Sequence, residues 1–173
     1  MLDLAPLEEV EANLKKRTQP TRLADSPFLD SPIGPGMPWP PGTNWRRSYP
    51  LPLPALRAQP GLVMVELAVD PYMNETLAGP DIALLDTSEP ARSDSSPLGL
   101  YVVDRRGEAV IRQIRPSSRG FYLVTDSTLD TPALWEHLSV SAAEFTLMVK
   151  ARVRWIGRER DRNRPTHQRG RFL

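Results

Sequence analysis

Side chains able to do chemistry are few in this chain. There is no cysteine, hence neither a thiolate nucleophile nor a disulfide framework. The only histidines are His137 and His167, so a metal would have to rest almost entirely on carboxylates, and neither a metal nor another cofactor is expected. Ser48, Ser93, Ser95, Ser96, Ser117 and Ser118 fall in segments that read as loops, and His137 falls on a helix-like turn. None of them stands in a recognisable nucleophile motif. The lysines are Lys15, Lys16 and Lys150, which leaves the long stretch between the second and third without an amine base. Cationic chemistry is carried by arginine, concentrated at Arg152, Arg154, Arg158, Arg160, Arg162, Arg164, Arg169 and Arg171. Such a run can neutralise phosphates without reading sequence, or can simply solubilise a tail.

The elements that would carry these residues follow from composition shifts. From Lys150 to Leu173 nine Lys/Arg face Glu159 and Asp161, giving +7 in a chain whose net charge is +1, so the rest carries about −6. Residues 158–173 hold almost no apolar side chains and are expected to be a flexible basic tail. At the other end, Asp3 caps a short helix within 1–25, with Leu7, Val10 and Leu14 on one face, Glu8 and Glu9 early and Lys15, Lys16 and Arg17 late. Residues 26–60 form a proline-rich arm: ten of the nineteen prolines lie between Ser26 and Pro60, a density that argues against regular ladders. Phe28, Trp39, Trp45 and Tyr49 are more apolar bulk than a solvated spacer needs, so the arm is expected to dock on a surface.

Residues 61–157 read differently. LVMVELAV (62–69), DIALLD (81–86), LYVVDR (100–105), AVIRQIR (109–115), FYLVTD (121–126) and FTLMVKARVRWIG (145–157) are rich in β-branched and aromatic residues and are separated by turn signals. Gly107 marks a hairpin between two of them, and PALWEHL (132–138) suits one or two helical turns. The pattern predicts a mainly β domain built on a coiled, partly closed antiparallel sheet. No run approaches the roughly 20 apolar residues that span a bilayer, and the acidic N-terminus is unlike a secretory signal, so a cytoplasmic protein with no membrane partner is expected.

VDPYMNETLAGPDIALLD (69–86), VIRQI (110–114), FYLVTDS and ARVRWIGR, in this order, resemble the self-cleaving peptidase domain of the LexA/phage-repressor (CI-like) family, more distantly related to signal peptidases. The likeness covers about 95 residues. Met73, Thr76, Leu77 and Asp81 match a Gly-Asp-Ser-Met-x-Pro-Thr-Leu segment and the Asp that follows it. On that correspondence the family's nucleophile position falls on Tyr72 and its lysine position on Arg112.

The family's chemistry needs a desolvated lysine that gives up its proton and then takes one from serine. Arginine, with a pKa above about 12, keeps its proton inside proteins. The one Ala-Gly pair, Ala78-Gly79, follows Tyr72, whereas the family's scissile pair precedes its nucleophile. Tyr72 and Arg112 therefore read as degenerate positions: a tyrosine packed at a strand end and an arginine on a solvent face, or a pair that meets within a vacated cleft. A single helix before the proline-rich segment leaves out the family's helix-turn-helix.

The resemblance implies a non-catalytic regulator of transcription, phage-repressor or SOS-like, acting as a homodimer or as a heterodimer with a related repressor. Residues 100–115 and 145–157 are the expected dimer surface, with the arm packed over the cleft. Two alternatives stand beside it: a nucleic-acid-binding accessory protein that uses Arg158, Arg160, Arg162, Arg164, Arg169 and Arg171, and an active serine peptidase in another register.

Overall fold

Val63, Met64 and Val65 are buried in succession, as are all five residues from Ile82 to Asp86, which is the signature of strands covered on both faces. A computed structural model describes residues 23–52, 60–77, 82–94, 99–157 and 171–172. In chain order the elements are β1 (Leu23–Leu29), β2 (Thr43–Pro52), β3 (Leu62–Glu66), β4 (Ile82–Asp86), α1 (Glu89–Ser93), β5 (Leu100–Arg105), β6 (Glu108–Ser117) and β7 (Gly120–Val124). Two 3-10 turns follow (Asp126–Thr128 and Pro132–Leu134), then β8 (Glu136–Leu138), α2 (Ala142–Met148), β9 (Val149–Gly157) and β10 (Arg171–Phe172).

Among the described residues the strands make one sheet in the order β2-β1-β3-β4-β9-β5-β6-β7-β8, with β10 paired to β9. The chain is mainly β, as its sequence predicts, but two features differ from expectation. The sheet is mixed, because β1 runs parallel to β3 where Phe28 meets Met64. It is also open, with β2 at one end and β8 at the other rather than closed on itself.

One face of β3, β4, β5, β6 and β9 gathers the largest buried cluster, including Val65, Leu85, Val102, Ile111 and Val153. Met73 and Leu77, from the loop after β3, complete it. A second cluster joins Phe28, Met64, Ile82, Leu84 and Trp155, and a third joins Tyr101, Val103, Ile114, Leu123, Phe145 and Val149. Each fully buried side chain of this size contributes roughly 1.5–3 kcal/mol.

The proline-rich segment corrects the expectation that it excludes ladders, since residues 26–29 of β1 and all of β2 lie in it, and the two strands pair antiparallel. Proline is tolerated at bulges and on end strands, where its missing N–H is not needed. Pro27 abuts a register shift that leaves residues 45–47 without partners on β1, and Pro50 and Pro52 lie on the end strand β2. The expected docking is seen: Phe28 is buried, Trp39 packs against the main cluster, and Tyr49 lies 6.0 Å from the Trp155 ring. The Ala109 N–H donates to the Met37 carbonyl at 2.7 Å, tying the segment to β6. The side chain of Trp45 and the predicted helix at 1–25, up to residue 22, lie outside the described residues.

Residues 145–148, read as strand, belong to α2, where Ser141 and Glu144 form a reciprocal capping box. PALWEHL divides into a 3-10 turn and the short strand β8. At the C-terminus, residues 171–172 pair with β9 opposite Trp155 and Ile156, so the tail is anchored near its end; residues 158–170 lie outside the described residues.

Candidate functional site

The β5–β6 register places Tyr101 opposite Arg112 and Arg105 opposite Glu108, through a turn in which Arg106 and Gly107 both take positive φ. Alternation then puts Arg105 and Arg112 on one face, and the next two registers add Leu123 and Glu136 to it. The loop after β3 reaches Arg112 through Asp70. Asp70-Pro71 starts a turn in which the Tyr72 N–H donates to Asp70 Oδ1 at 3.0 Å and the Met73 N–H to the Asp70 carbonyl at 3.0 Å. Met73 and Leu77, both buried, pin the loop to the core. A second loop, from Thr125 to Trp135, is tied to the first by Thr76, whose N–H and hydroxyl each donate to Asp126 at 2.7 Å.

Between the two loops and the sheet is a cleft of about 260 Å³ lined by Tyr72, Arg105, Arg112, Leu123, Thr125, Thr128, Leu134 and Glu136. Arg112, only 5 % exposed, occupies its floor. Its Nη1 donates to Asp70 Oδ2 at 2.5 Å and to the Ile111 carbonyl at 2.7 Å. Asp70 is itself 2 % exposed. At the side of the cleft Arg105 Nε donates to both oxygens of Glu136, at 2.9 and 2.7 Å.

Arg112 is thus not on a solvent face: burial of a guanidinium is sustained here by a buried carboxylate, which sequence reading did not supply. Tyr72 is not packed at a strand end either; it projects from the loop at 57 % exposure. The two positions line one cleft and are joined through Asp70, which receives a hydrogen bond from each residue, rather than by direct stacking. Among the described residues the proline-rich segment does not line the cleft: β1 and β2 extend the sheet beyond β3, and Met37 meets β6 at Ala109 rather than at Arg112. Strands β5, β6 and β9, expected to form a dimer surface, sit in the middle of the sheet with neighbours on both sides.

The other sequence candidates lie elsewhere. Lys150 Nζ donates to the Leu147 carbonyl at 3.2 Å and pairs with Asp104 at 3.4 Å, away from the cleft lining. Ser117 bonds the Gly120 carbonyl in the β6–β7 turn, Ser118 lies in that same turn, Ser93 ends α1, and the His137 ring packs 4.8 Å from Tyr122. Ser95, Ser96, His167, Arg158, Arg160, Arg162, Arg164 and Arg169, and the side chains of Ser48 and Arg171, lie outside what is described. Arg152 bonds Asp94, and Arg154 donates to Asp86 Oδ2 through Nε at 3.1 Å and Nη2 at 2.7 Å, so both are engaged by carboxylates. Burial pushes the Asp86 carboxyl up, but hydrogen bonds from Ser88 and Arg154 outweigh it and hold it below the usual carboxylate value. Among the described residues no three metal-ligating side chains stand together, and no helix is long and apolar enough to cross a membrane.

Asp70, Arg105 and Glu136 escaped sequence reading. The Asp-Pro turn signal and the two-residue hairpin at Arg106-Gly107, which fixes Arg105 and Arg112 on one face, were the available clues. No protein-family model, curated protein or solved structure matches the chain. Chemically, the floor of the cleft offers a guanidinium with hydrogen-bond donors, and no lysine stands among the described residues that line it.

Proposed function

We propose that the chain is a non-catalytic regulatory module of repressor type that acts by self-association. The observation that carries this reading is the buried Arg112–Asp70 ion pair. It stands where the resemblance to self-cleaving repressors would require a lysine free to lose its proton, and it fills that place with a guanidinium fixed on two acceptors. The reading is supported by a cleft held through Met73, Leu77 and the Thr76–Asp126 tie, with an arginine at the position where the resemblance would put the base.

Association is favoured at the rim of the cleft. Both ends of the sheet are blunted against edge pairing, β2 by a bulge and prolines, β8 by its length of three residues. Among the described residues the exposed large apolar side chains are Val69, Tyr72, Leu129, Leu134 and Leu147, and the first four belong to the two loops that frame the cleft. An apolar rim around a polar floor is the composition of a contact surface.

Sedimentation equilibrium at micromolar concentration tests the reading. A dimer is expected, weakened at least about tenfold by Val69→Glu, which puts a charge in the rim without touching the core. A strictly monomeric parent chain would overturn it.

A further inference from the structure

Arg112 has five N–H donors, of which Nη1 uses both of its own on Asp70 and the Ile111 carbonyl. Its Nε and Nη2 donors have no acceptor among the described residues, although the side chain is 94 % buried and lines the cleft. Arg105, at the hairpin end of β5, repeats the arrangement: Nε is spent on Glu136, and both Nη groups are unclaimed among the described residues. Asp70 and Glu136 therefore hold the guanidiniums in place and leave their far edges turned to the cavity. These unclaimed donors are not sealed from solvent, so a ligand that supplies charged acceptors would exchange their water contacts for charge-assisted hydrogen bonds.

From these edges we infer that the cleft is a binding site for a small monocarboxylate with an apolar body. The Nε–Nη2 edge of a guanidinium matches both oxygens of a carboxylate, as a point charge would not. The remaining walls, the Tyr72 ring, Leu123 and Leu134, suit a short apolar body. Its volume lies below the range usual for drug-sized ligands, which restricts the body to a single ring or short chain. Doubly charged phosphate fits less well, because Arg105 and Arg112 are already balanced by Glu136 and Asp70. This inference goes beyond self-association and does not depend on it.

Benzoate, its neutral isostere benzamide and inorganic phosphate serve as probes in ligand-observed NMR, with the full chain at concentrations above and below its self-association midpoint, so that loss of association and loss of ligand binding are scored separately. Saturable benzoate binding is expected at both, with benzamide and phosphate weaker by about tenfold or more. Arg112→Gln should abolish it. Arg105→Gln, at a partly exposed position where folding is retained, should weaken it several-fold. Absence of benzoate binding, equal binding of benzamide, stronger binding of phosphate, or an affinity unchanged in folded Arg105→Gln would each overturn the inference.

Discussion

At the scale of single residues, the central fact is a guanidinium and a carboxylate that are both withdrawn from water. Each would cost several kcal/mol to bury alone, and the pair recovers this only because the geometry is tight and the other polar atoms of Asp70 and Arg112 Nη1 are satisfied. Removing one partner is therefore worse than removing both. Asp70→Ala is expected to lower unfolding free energy by about 3–5 kcal/mol, leaving Arg112 buried and uncompensated. The double substitution Asp70→Ala/Arg112→Met should recover much of that loss, because a thioether side chain of similar length tolerates the site. Urea denaturation of the parent, the single and the double variants checks this; a double variant as unstable as the single one would show that the loop, not the charge, carries the cost. The residue types at 72 and 112 were legible in the sequence, but their setting was not. The partner of Arg112 lies 42 positions earlier, and no local pattern connects an Asp-Pro turn to a strand formed that much later.

Among the elements, β3 through β7 and β9 were legible because β-branched runs alternate with turn residues, and local pattern is enough to define a half-buried or buried strand. β1 and β2 were not, since proline density argues against ladders and only tertiary placement, at a bulge and on an end strand, relieves that objection. α2 was hidden inside an apolar run shared with β9; the Ser141-x-x-Glu144 capping box was its one local sign. The candidate cleft inherits this division: its floor on β5 and β6 could be read from the hairpin, while its loops depend on the contact between Thr76 and Asp126 across 50 residues. Gly120 shows how tightly the far wall is built. It opens β7 with φ +133°, and a Cβ there would stand 2.1 Å from the Leu138 carbonyl oxygen on β8. Gly120→Ala is expected to destabilise by at least about 1 kcal/mol, since both the backbone conformation and the approach of β8 oppose a side chain. Thermal unfolding reads the loss, and a variant as stable as the parent would mean that β8 moves aside freely.

For the whole molecule, the described sheet is open and mixed with blunted ends, so the proposed self-association would fall to a face, and among the described residues four of the five exposed large apolar side chains lie on the loops that frame the cleft. The same arrangement bears on catalysis. A peptidase that used lysine as its base would become more active as pH approaches the usual lysine pKa of about 10.4, because the amine is freed. In this chain the corresponding position is an arginine, a residue type that does not serve as such a base, and Lys150 is held by Asp104 and the Leu147 carbonyl outside the cleft. Prolonged incubation near pH 10 is therefore expected to leave a single band of full length by electrophoresis and mass spectrometry. Should two fragments appear, the decisive comparison is Lys150→Met. Fragments that vanish in that variant would assign the base to Lys150 and place a working peptidase in a register other than Tyr72 and Arg112, whereas fragments that persist would assign the break to Lys15, Lys16 or a route without lysine.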